Sequence, residues 1–279
     1  MSEPQSINCL LNSEAMLQPD GQPPEPVFVD ALCPTHGVFK ARLWPNPVDV
    51  EPPLMGRCQE CEAQRLVTEE MRARSRVKAD RDAKISRLME KAGIPARFLD
   101  RNFTGYIATT QPQRTALTAC RRFAETWVDQ QAKGGSLVLT GGPGTGKTHL
   151  ACAVANKIIP EHLATVAFGT VASMLRHIKD TYRKDSGRSE QDAIKDLSSP
   201  DLLIVDEVGV QVGSDHEKLL LFEVFNERYQ ACKPTILISN LSADDLENFL
   251  GHRVMDRYRE CGVVLAFDWQ SYRGSKVAA

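Results

Sequence analysis

The 279-residue sequence predicts an α/β fold in which helices cover a central parallel sheet. Two observations support this fold class. Short apolar runs of the kind found in buried parallel strands recur along the chain, and stretches of helix length separate them. The runs lie at residues 136–140, 165–168, 202–205, 235–238 and 263–267. Strands and helices that alternate in this way form a parallel sheet with both faces covered.

Four successive regions are predicted from composition. Residues 1–30 are rich in proline and polar residues and are predicted to be a flexible leader. Residues 31–61 hold a compact Cys/His segment that is predicted to be a small zinc-binding module. Residues 62–92 are rich in helix-forming residues and predict a linking helix. The α/β domain follows over 93–279, and a further helix is predicted at 112–131.

Charge and hydropathy limit the function classes. Lys and Arg number 34 against 36 Asp and Glu, a net charge of -2. This balance excludes attraction of the whole chain to nucleic acid, so any such contact has to come from a local patch. The N-terminus lacks a basic start followed by an apolar run, and no stretch has the length of a membrane span. We therefore expect a cytoplasmic protein.

Two pairs of potential metal ligands lie in the N-terminal segment. Cys33 and His36 form one pair, and Cys58 and Cys61 form the other, each with two residues between the ligands. Two such pairs about twenty residues apart are typical of a zinc site that closes a small β-ribbon. A structural Zn²⁺ ion is predicted because all four ligands would come from the protein. The alternative is four unrelated polar or buried residues.

A glycine-rich string follows the first predicted strand of the α/β domain. Its residues are Gly141, Gly142, Pro143, Gly144, Thr145, Gly146, Lys147 and Thr148. In this P-loop pattern the glycines let backbone N–H groups turn inward around a β-phosphate, and the following helix adds its positive end. Lys147 would reach the β- and γ-phosphates and the Thr148 hydroxyl would bind Mg²⁺. The string therefore predicts an ATP site; the alternative is a turn that only resembles the motif.

Two carboxylates end the apolar run at 202–205. Asp206 and Glu207 would lie at the carboxyl edge of the sheet, where open α/β folds bind their ligands. Asp206 is predicted to hold the Mg²⁺ shell and Glu207 to polarise the water that attacks ATP. An acidic strand end that only caps the next helix is the alternative.

Three further polar residues are candidates for contact with the γ-phosphate. Asn240 follows the strand at 235–239 and could orient the water. Arg228 ends a predicted helix at 217–230, and Arg253 lies in a predicted small lid helix. Spacing alone favours a surface charge for each arginine.

A basic helix face is predicted near the middle of the domain. Arg176, Lys179 and Arg183 recur at spacings of three and four, with Tyr182 beside them for stacking on a base. A solvated basic face would have the same pattern.

Several strings together resemble the DnaC-type replicative helicase loaders, a branch of the AAA+ ATPases that also includes the IstB-type transposition helpers. The resemblance runs from about residue 93 to 272 and rests on 93–95, 144–151, 179–183, 206–211, 217–218, 253–257 and 269–273. It implies an AAA+ P-loop ATPase with a reduced C-terminal lid, in which His149 belongs to the nucleotide-binding string.

The resemblance also implies an assembly. ATP-bound subunits would form a head-to-tail spiral, six of them on a hexameric helicase, with Arg228 completing a neighbour's site as an arginine finger and Arg253 acting as the second sensor. Single-stranded DNA would run along the inside of the spiral. The implied DNA contacts are Tyr182, Ser214 and His216, with Arg176, Lys179, Arg183 and Lys184 as phosphate partners.

The predicted function is ATP-dependent loading of a DnaB-type helicase onto single-stranded DNA when replication starts. The zinc module is similar in role to an N-terminal domain of some Gram-positive loaders, and the linking helix is the predicted helicase-binding region. One alternative is an IstB-like helper for a transposase on duplex DNA, which the zinc module and the 269–273 string disfavour. Another is a DNA-binding adaptor without ATP turnover, which the intact Lys147, Thr148, Asp206 and Glu207 make the weakest option.

Overall fold

The computed structural model describes residues 27–44, 54–55, 57–183, 185–210 and 214–273. It divides into two compact units, Met1–Asp80 and Arg81–Ala279. The predicted leader up to residue 26 and the phosphate partner Lys184 lie outside the described residues.

The first unit contains a small antiparallel sheet. Strands β1 (Val27–Cys33), β2 (Gly37–Trp44) and β3 (Leu54–Met55) are arranged in that order. Residues 27–30 were predicted to belong to the leader, and this boundary is wrong because they pair with β2. Exposure alternates along β1 from residue 28 to 30, as the two-residue period of a strand requires. The sheet thus brings the Cys33 end of β1 to the start of β2.

A 33-residue helix follows. Helix α1 (Gln59–Lys91) begins three residues before the predicted linking helix of 62–92 and ends one residue before its predicted end. Glu60 and Glu62 lie in its first turn and Lys91 in its last, so the charges complement the helix dipole. None of the residues of α1 is buried.

The second unit is built on a five-stranded sheet, which confirms the predicted fold class. Its strands are β4 (Ser136–Thr140), β5 (Val166–Thr170), β6 (Leu202–Val208), β7 (Thr235–Ser239) and β8 (Gly262–Ala266). All neighbours pair in parallel, in the order β5-β6-β7-β4-β8. Every residue of β4 and β7 is buried, as expected for strands with helices on both faces.

Helices surround this sheet. They are α2 (Gln111–Glu125), α3 (Trp127–Lys133), α4 (Lys147–His162), α5 (Val171–Lys179), α6 (Glu190–Ser198), α7 (Asp215–Gln230), α8 (Ala243–Leu250) and α9 (His252–Cys261). Leu137 and Leu139 of β4 join one apolar cluster with residues of α2 and α4. Val138, between them, joins a second cluster with residues of α5, α7 and α9. The two clusters form the cores on the two faces of the sheet.

One predicted helix is two in the structure. The helix expected at 112–131 breaks at Thr126, whose φ of -101° and ψ of 29° are not helical. The Thr126 hydroxyl donates to the Arg122 carbonyl at 2.8 Å and stabilises the end of α2. The break turns Trp127 into the core, where its ring lies 6.2 Å from that of Phe123.

Candidate functional site

The glycine-rich loop joins β4 to α4 at the carboxyl edge of the sheet. Gly141 and Gly146 have φ angles of 114° and 97°, which other residues rarely adopt. A Cβ atom on Gly141 would lie 2.6 Å from the Phe267 carbonyl oxygen, and one on Gly146 would lie 2.6 Å from Cε2 of Tyr106. Glycine is therefore needed at both positions for backbone angle and for space.

Lys147 begins α4 with its side chain folded over the loop. Its ammonium group donates to the carbonyls of Gly141 at 2.6 Å and Gly142 at 2.7 Å, and the residue is 4% exposed. Burial lowers the pKa of Lys147, the Asp206 carboxylate opposes that shift, and Arg273 adds to it. The loop thus holds a positive charge where a phosphate would bind.

The two predicted nucleotide motifs meet in the structure. The Thr148 hydroxyl donates to Oδ2 of Asp206 at 2.9 Å, and the other carboxylate oxygen accepts the Glu207 N–H at 2.8 Å. Two cis oxygen ligands of Mg²⁺ are separated by roughly 2.9 Å in an octahedral shell. The Thr148 and Asp206 oxygens therefore have the spacing that would hold such an ion.

Glu207 has an unusual backbone. Its φ of 59° lies in the left-handed region, and the pairing of β6 with β7 shifts by one residue between Val205 and Val208. A β-bulge of this kind redirects a side chain at the end of a strand. Glu207 is exposed beside the buried strand as a result. Left-handed backbone in a residue other than glycine costs about 1–2 kcal/mol, so the rest of the edge has to hold this conformation.

The structure contradicts the predicted arginine finger at Arg228. This side chain is 0% exposed, so it does not reach a neighbouring subunit. Its guanidinium donates to the Thr235 hydroxyl at 3.0 Å and to several backbone carbonyls. The carbonyls belong to Leu197, Ser198, Pro200 and Pro234. Burial lowers its pKa to about 10, which is still well above neutral pH, so the group stays charged. Its hydrogen bonds stabilise the backbone at the start of β7.

The other two candidates for the γ-phosphate are exposed. Asn240 follows β7 directly, at the same edge of the sheet as Asp206. Arg253 lies in the first turn of α9. Their roles stay predictions.

Three residues contact the loop that the sequence motifs did not assign to it. Tyr106 and Trp269 both donate to the Thr145 carbonyl, at 3.3 Å and 3.0 Å. Arg273 lies against the loop as well, because its Cγ would be 3.4 Å from a Cβ on Gly144. The 269–273 string marked Trp269 and Arg273 without assigning them a task, whereas Tyr106 has no comparable signal. His149 faces Tyr106 with ring centroids 5.6 Å apart.

The predicted DNA contacts lie close together. The Tyr182 hydroxyl is 3.1 Å from Nε2 of His216, and their rings are 6.4 Å apart. Ser214 caps α7, two residues before His216, and accepts the Glu217 N–H at 3.3 Å. Tyr182 is 50% exposed, and its hydroxyl also donates to Glu190.

The predicted basic helix face is only partly correct. Helix α5 ends at Lys179, so Arg183 lies beyond it in extended backbone instead of on the same face. Lys179 pairs with Glu217, which neutralises part of the expected positive charge. Arg176 and Arg183 are exposed.

The Cys/His segment brings its four predicted ligands together. The Cys33 sulfur lies 3.5 Å from that of Cys61, and Nδ1 of His36 lies 3.7, 3.6 and 3.3 Å from the sulfurs of Cys33, Cys58 and Cys61. All four donor atoms lie within 4.8 Å of one another. Ligands of tetrahedral zinc are separated by roughly 3.3–3.8 Å, given bonds of about 2.0–2.3 Å. The four side chains therefore have the spacing of a tetrahedral site.

The ionisation of the thiols differs within this cluster. Backbone N–H groups of His36 and Thr35 lower the pKa of Cys33 to about 6. The hydrogen bond to Cys33 raises the pKa of Cys61 to about 11. The first thiol is thus ready to bind a cation as a thiolate at neutral pH, and a bound cation would favour loss of the second proton.

Comparison with known proteins identifies relatives of this chain. The model of the family described as IstB-like ATP binding protein matches residues 59–275. The replicative helicase loader DnaC of Buchnera aphidicola subsp. Acyrthosiphon pisum is 34% identical over 198 residues, which are 71% of this chain and 79% of that protein. The DnaC of Escherichia coli K12 is 34% identical over 70% of this chain and 78% of its own.

A crystal structure of the DnaC helicase loader has a similar fold. It superposes with a TM-score of 0.56 at 26% identity and covers 62% of this chain and 99% of that one. Among the described residues, no helix is long and apolar enough to cross a bilayer. Cys33, His36 and Cys58 precede the residues matched by the family model. The matched range, the identities and the ATP-site geometry show that the chain belongs to the IstB-like ATP-binding family, with DnaC-type AAA+ ATPases among its relatives.

Proposed function

We propose that this protein is an ATPase that loads a DnaB-type replicative helicase onto single-stranded DNA. One observation carries the proposal. The Thr148 hydroxyl contacts Asp206 at the ATP site, in a sequence that is 34% identical to proteins named as replicative helicase loaders. Loading would use ATP binding to hold the helicase and ATP hydrolysis to release it.

The ATP site would act through a few side chains. Lys147 would bind the β- and γ-phosphates, and Thr148 and Asp206 would hold a Mg²⁺ ion that neutralises part of the phosphate charge. Glu207 would orient the attacking water through its exposed carboxylate, and Asn240, which follows β7 at the same edge of the sheet, would help to position that water. Arg273 lies against the loop and would add a positive charge there, while the second-sensor role that the resemblance implies stays with Arg253.

The N-terminal unit would bind one structural Zn²⁺ ion through Cys33, His36, Cys58 and Cys61. The ion would hold the β1–β2 hairpin to the start of α1, and the unit together with α1 would contact the helicase. Exposed apolar residues of α1 support this surface. They are Leu66, Val67, Met71 and Val77.

ATP-bound subunits would assemble into a spiral of six around single-stranded DNA. The cluster of Tyr182, Ser214 and His216 would contact a base, and Arg176, Lys179 and Arg183 would contact phosphates. Arg228 has no place in that assembly, because its buried contacts hold the fold of its own subunit. Arg253 remains the exposed arginine proposed to act at the nucleotide.

A size-exclusion experiment tests the main proposal. The full chain is mixed with a DnaB-type helicase from the same source, with and without ATP and Mg²⁺. We expect an ATP-dependent complex that Lys147→Ala weakens and that Lys157→Ala, a surface change on the same helix, leaves intact. Absence of a complex under every condition would refute helicase loading.

The family description favours one alternative, an IstB-like helper that binds duplex DNA for a transposase. Fluorescence anisotropy with labelled single-stranded and duplex DNA of one sequence separates the two functions. ATP-dependent preference for the single strand supports the loader. Preference for the duplex, together with no helicase complex, supports the transposition helper.

A further inference from the structure

The Thr145 carbonyl receives two hydrogen bonds from aromatic side chains. The Tyr106 hydroxyl donates at 3.3 Å and the Trp269 indole N–H at 3.0 Å. One donor comes from the segment before α2 and the other from the segment after β8. We call Tyr106 and Trp269 the Thr145 clamp. We propose that the clamp is a positioning device that holds the P-loop in its phosphate-binding shape before nucleotide arrives; this proposal rests on the P-loop being the ATP site.

Peptide geometry links the clamp to phosphate binding. The bond between Thr145 and Gly146 is trans, so its C=O and N–H point in opposite directions. Donors that hold the Thr145 carbonyl therefore direct the Gly146 N–H away from Tyr106 and Trp269, which on this proposal is toward the phosphate. N–H groups so oriented are what a P-loop uses to bind phosphate. The clamp thus acts on the loop through one peptide unit.

Trp269 is well fixed for this task. Its ring packs on the fully buried Phe267 with centroids 4.7 Å apart. The chain on either side of Trp269 bonds to the loop region, since the Phe267 N–H donates to the Thr140 carbonyl at 2.8 Å and the Tyr272 N–H donates to the Gly144 carbonyl at 2.9 Å. The indole therefore has little freedom to leave the Thr145 carbonyl.

Tyr106 is fixed from the other side. Its ring packs so closely on Gly146 that a Cβ there would be 2.6 Å from Cε2. His149 and Tyr106 meet in a T-shaped arrangement, and Nε2 of His149 lies 3.0 Å from the Asn102 carbonyl oxygen. The phenol of Tyr106 keeps its proton and remains a donor at neutral pH, and burial raises its pKa further, to about 12.

Two conservative changes test the clamp. Trp269→Phe removes the indole N–H together with part of the ring system and keeps an aromatic ring, and Tyr106→Phe removes only the hydroxyl. Loss of one hydrogen bond to a loop that must be pre-formed should raise the KM for ATP and the Kd of a fluorescent ATP analogue about fivefold for each variant. We expect kcat at saturating ATP to stay close to that of the wild type, because bound ATP itself organises the loop. Trp127→Phe, a change in a buried tryptophan of the core, should leave both constants unchanged.

Hydrogen exchange gives a second measurement that does not depend on turnover. Without nucleotide, the amides of 144–147 should exchange faster in the Trp269→Phe/Tyr106→Phe double variant than in the wild type, while those of β4 and β7 should not change. The clamp proposal is overturned if the double variant has the same KM for ATP, Kd for the analogue and amide exchange as the wild type. It is also overturned if kcat falls while KM stays the same. If the wild type itself binds no ATP, or binds it equally after Lys147→Ala, the ATP-site assignment fails instead.

Discussion

The P-loop and the Cys/His cluster are held in place by different kinds of contact. In the P-loop, Lys147, Thr145 and Thr148 all bond to neighbouring protein atoms, so the loop is shaped by the chain itself. In the Cys/His cluster, three sulfurs and one imidazole nitrogen converge mainly on one another. Polar groups brought together in this way are stabilised by a shared cation. The ATP site can therefore form before its ligand binds, whereas the proposed Zn²⁺ ion would be needed to keep the cluster in order.

Metal removal should produce the largest effect. A zinc-selective chelator, added without nucleotide, should abolish the amide protection of β1 and β2, because structural zinc sites bind with an apparent free energy of about 10–16 kcal/mol at pH 7. Protection of β4 and β7 should not change, since their hydrogen bonds and packing do not involve the cluster. Hydrogen exchange with mass spectrometry measures both regions in one sample.

The matched variants use two kinds of cysteine. Elemental analysis of the purified proteins should show no bound zinc in Cys58→Ser/Cys61→Ser and one ion per chain in Cys232→Ser, a change at an exposed cysteine of the second unit. If the amides of β1 and β2 stay protected in the metal-free variant, the cluster keeps its structure without an ion, and the contrast with the P-loop is wrong.

Loss of an internal contact in the second unit should have the next largest effect. Arg228→Met leaves several buried carbonyls without their donor, so we expect the free energy of unfolding to fall by about 3 kcal/mol or more. Arg253→Met, at an exposed arginine, should change it by less than about 0.5 kcal/mol. Urea unfolding monitored by circular dichroism measures both. Wild-type stability of Arg228→Met, combined with ATP turnover lost only in the assembled complex, would restore the arginine finger.

Lys147→Ala should affect activity more than stability. Removal of the phosphate-binding ammonium should lower ATP turnover by about 100-fold or more. The loop should stay folded, because the Thr145 clamp and the Thr148 bond to Asp206 remain after the bonds from Lys147 to the Gly141 and Gly142 carbonyls are lost. A coupled phosphate-release assay gives turnover, and urea unfolding gives stability, with Lys157→Ala as the surface control on α4. Collapse of the fold in Lys147→Ala would show that the ammonium is needed for the shape of the loop.

The features that the sequence predicted correctly are local or follow from topology. The P-loop is one continuous string, and its strand and helix follow from apolar periodicity. Contact between Thr148 and Asp206 follows because the carboxyl ends of parallel strands share one edge. The zinc-ligand spacing is local within each pair, and the hairpin and start of α1 bring the pairs together.

The features that the sequence did not reveal depend on contacts between distant segments. Tyr106 and Trp269 reach the same carbonyl only once the chain has folded, and no spacing rule joins them. The spacing of apolar residues in α7 does indicate that Arg228 is buried. It lies on the apolar face of α7 at a helical spacing from Leu221, Val224 and Phe225, all of them buried. A charge at such a position indicates a buried guanidinium rather than a surface group.

A change at Glu207 should have the smallest effect, and it tests whether the left-handed backbone of this residue lowers the stability of the second unit. Glu207→Gly removes the cost of left-handed backbone in a residue with a side chain, and part of that gain is offset by the greater freedom of glycine in the unfolded chain. The free energy of unfolding should therefore rise by about 0.5–1 kcal/mol. Glu207→Gln keeps the side chain and the strain, so its stability should match the wild type.

ATP turnover should be lost in both Glu207 variants, because neither keeps the carboxylate that orients water, while binding of the ATP analogue persists. Urea unfolding and phosphate release on the same preparations give the four values. A stability gain confined to Glu207→Gly, with turnover lost in both, would show that this edge keeps a strained residue for chemistry at a cost in stability. Equal stability of the two variants would mean that the β-bulge accommodates the left-handed backbone of residue 207 without strain.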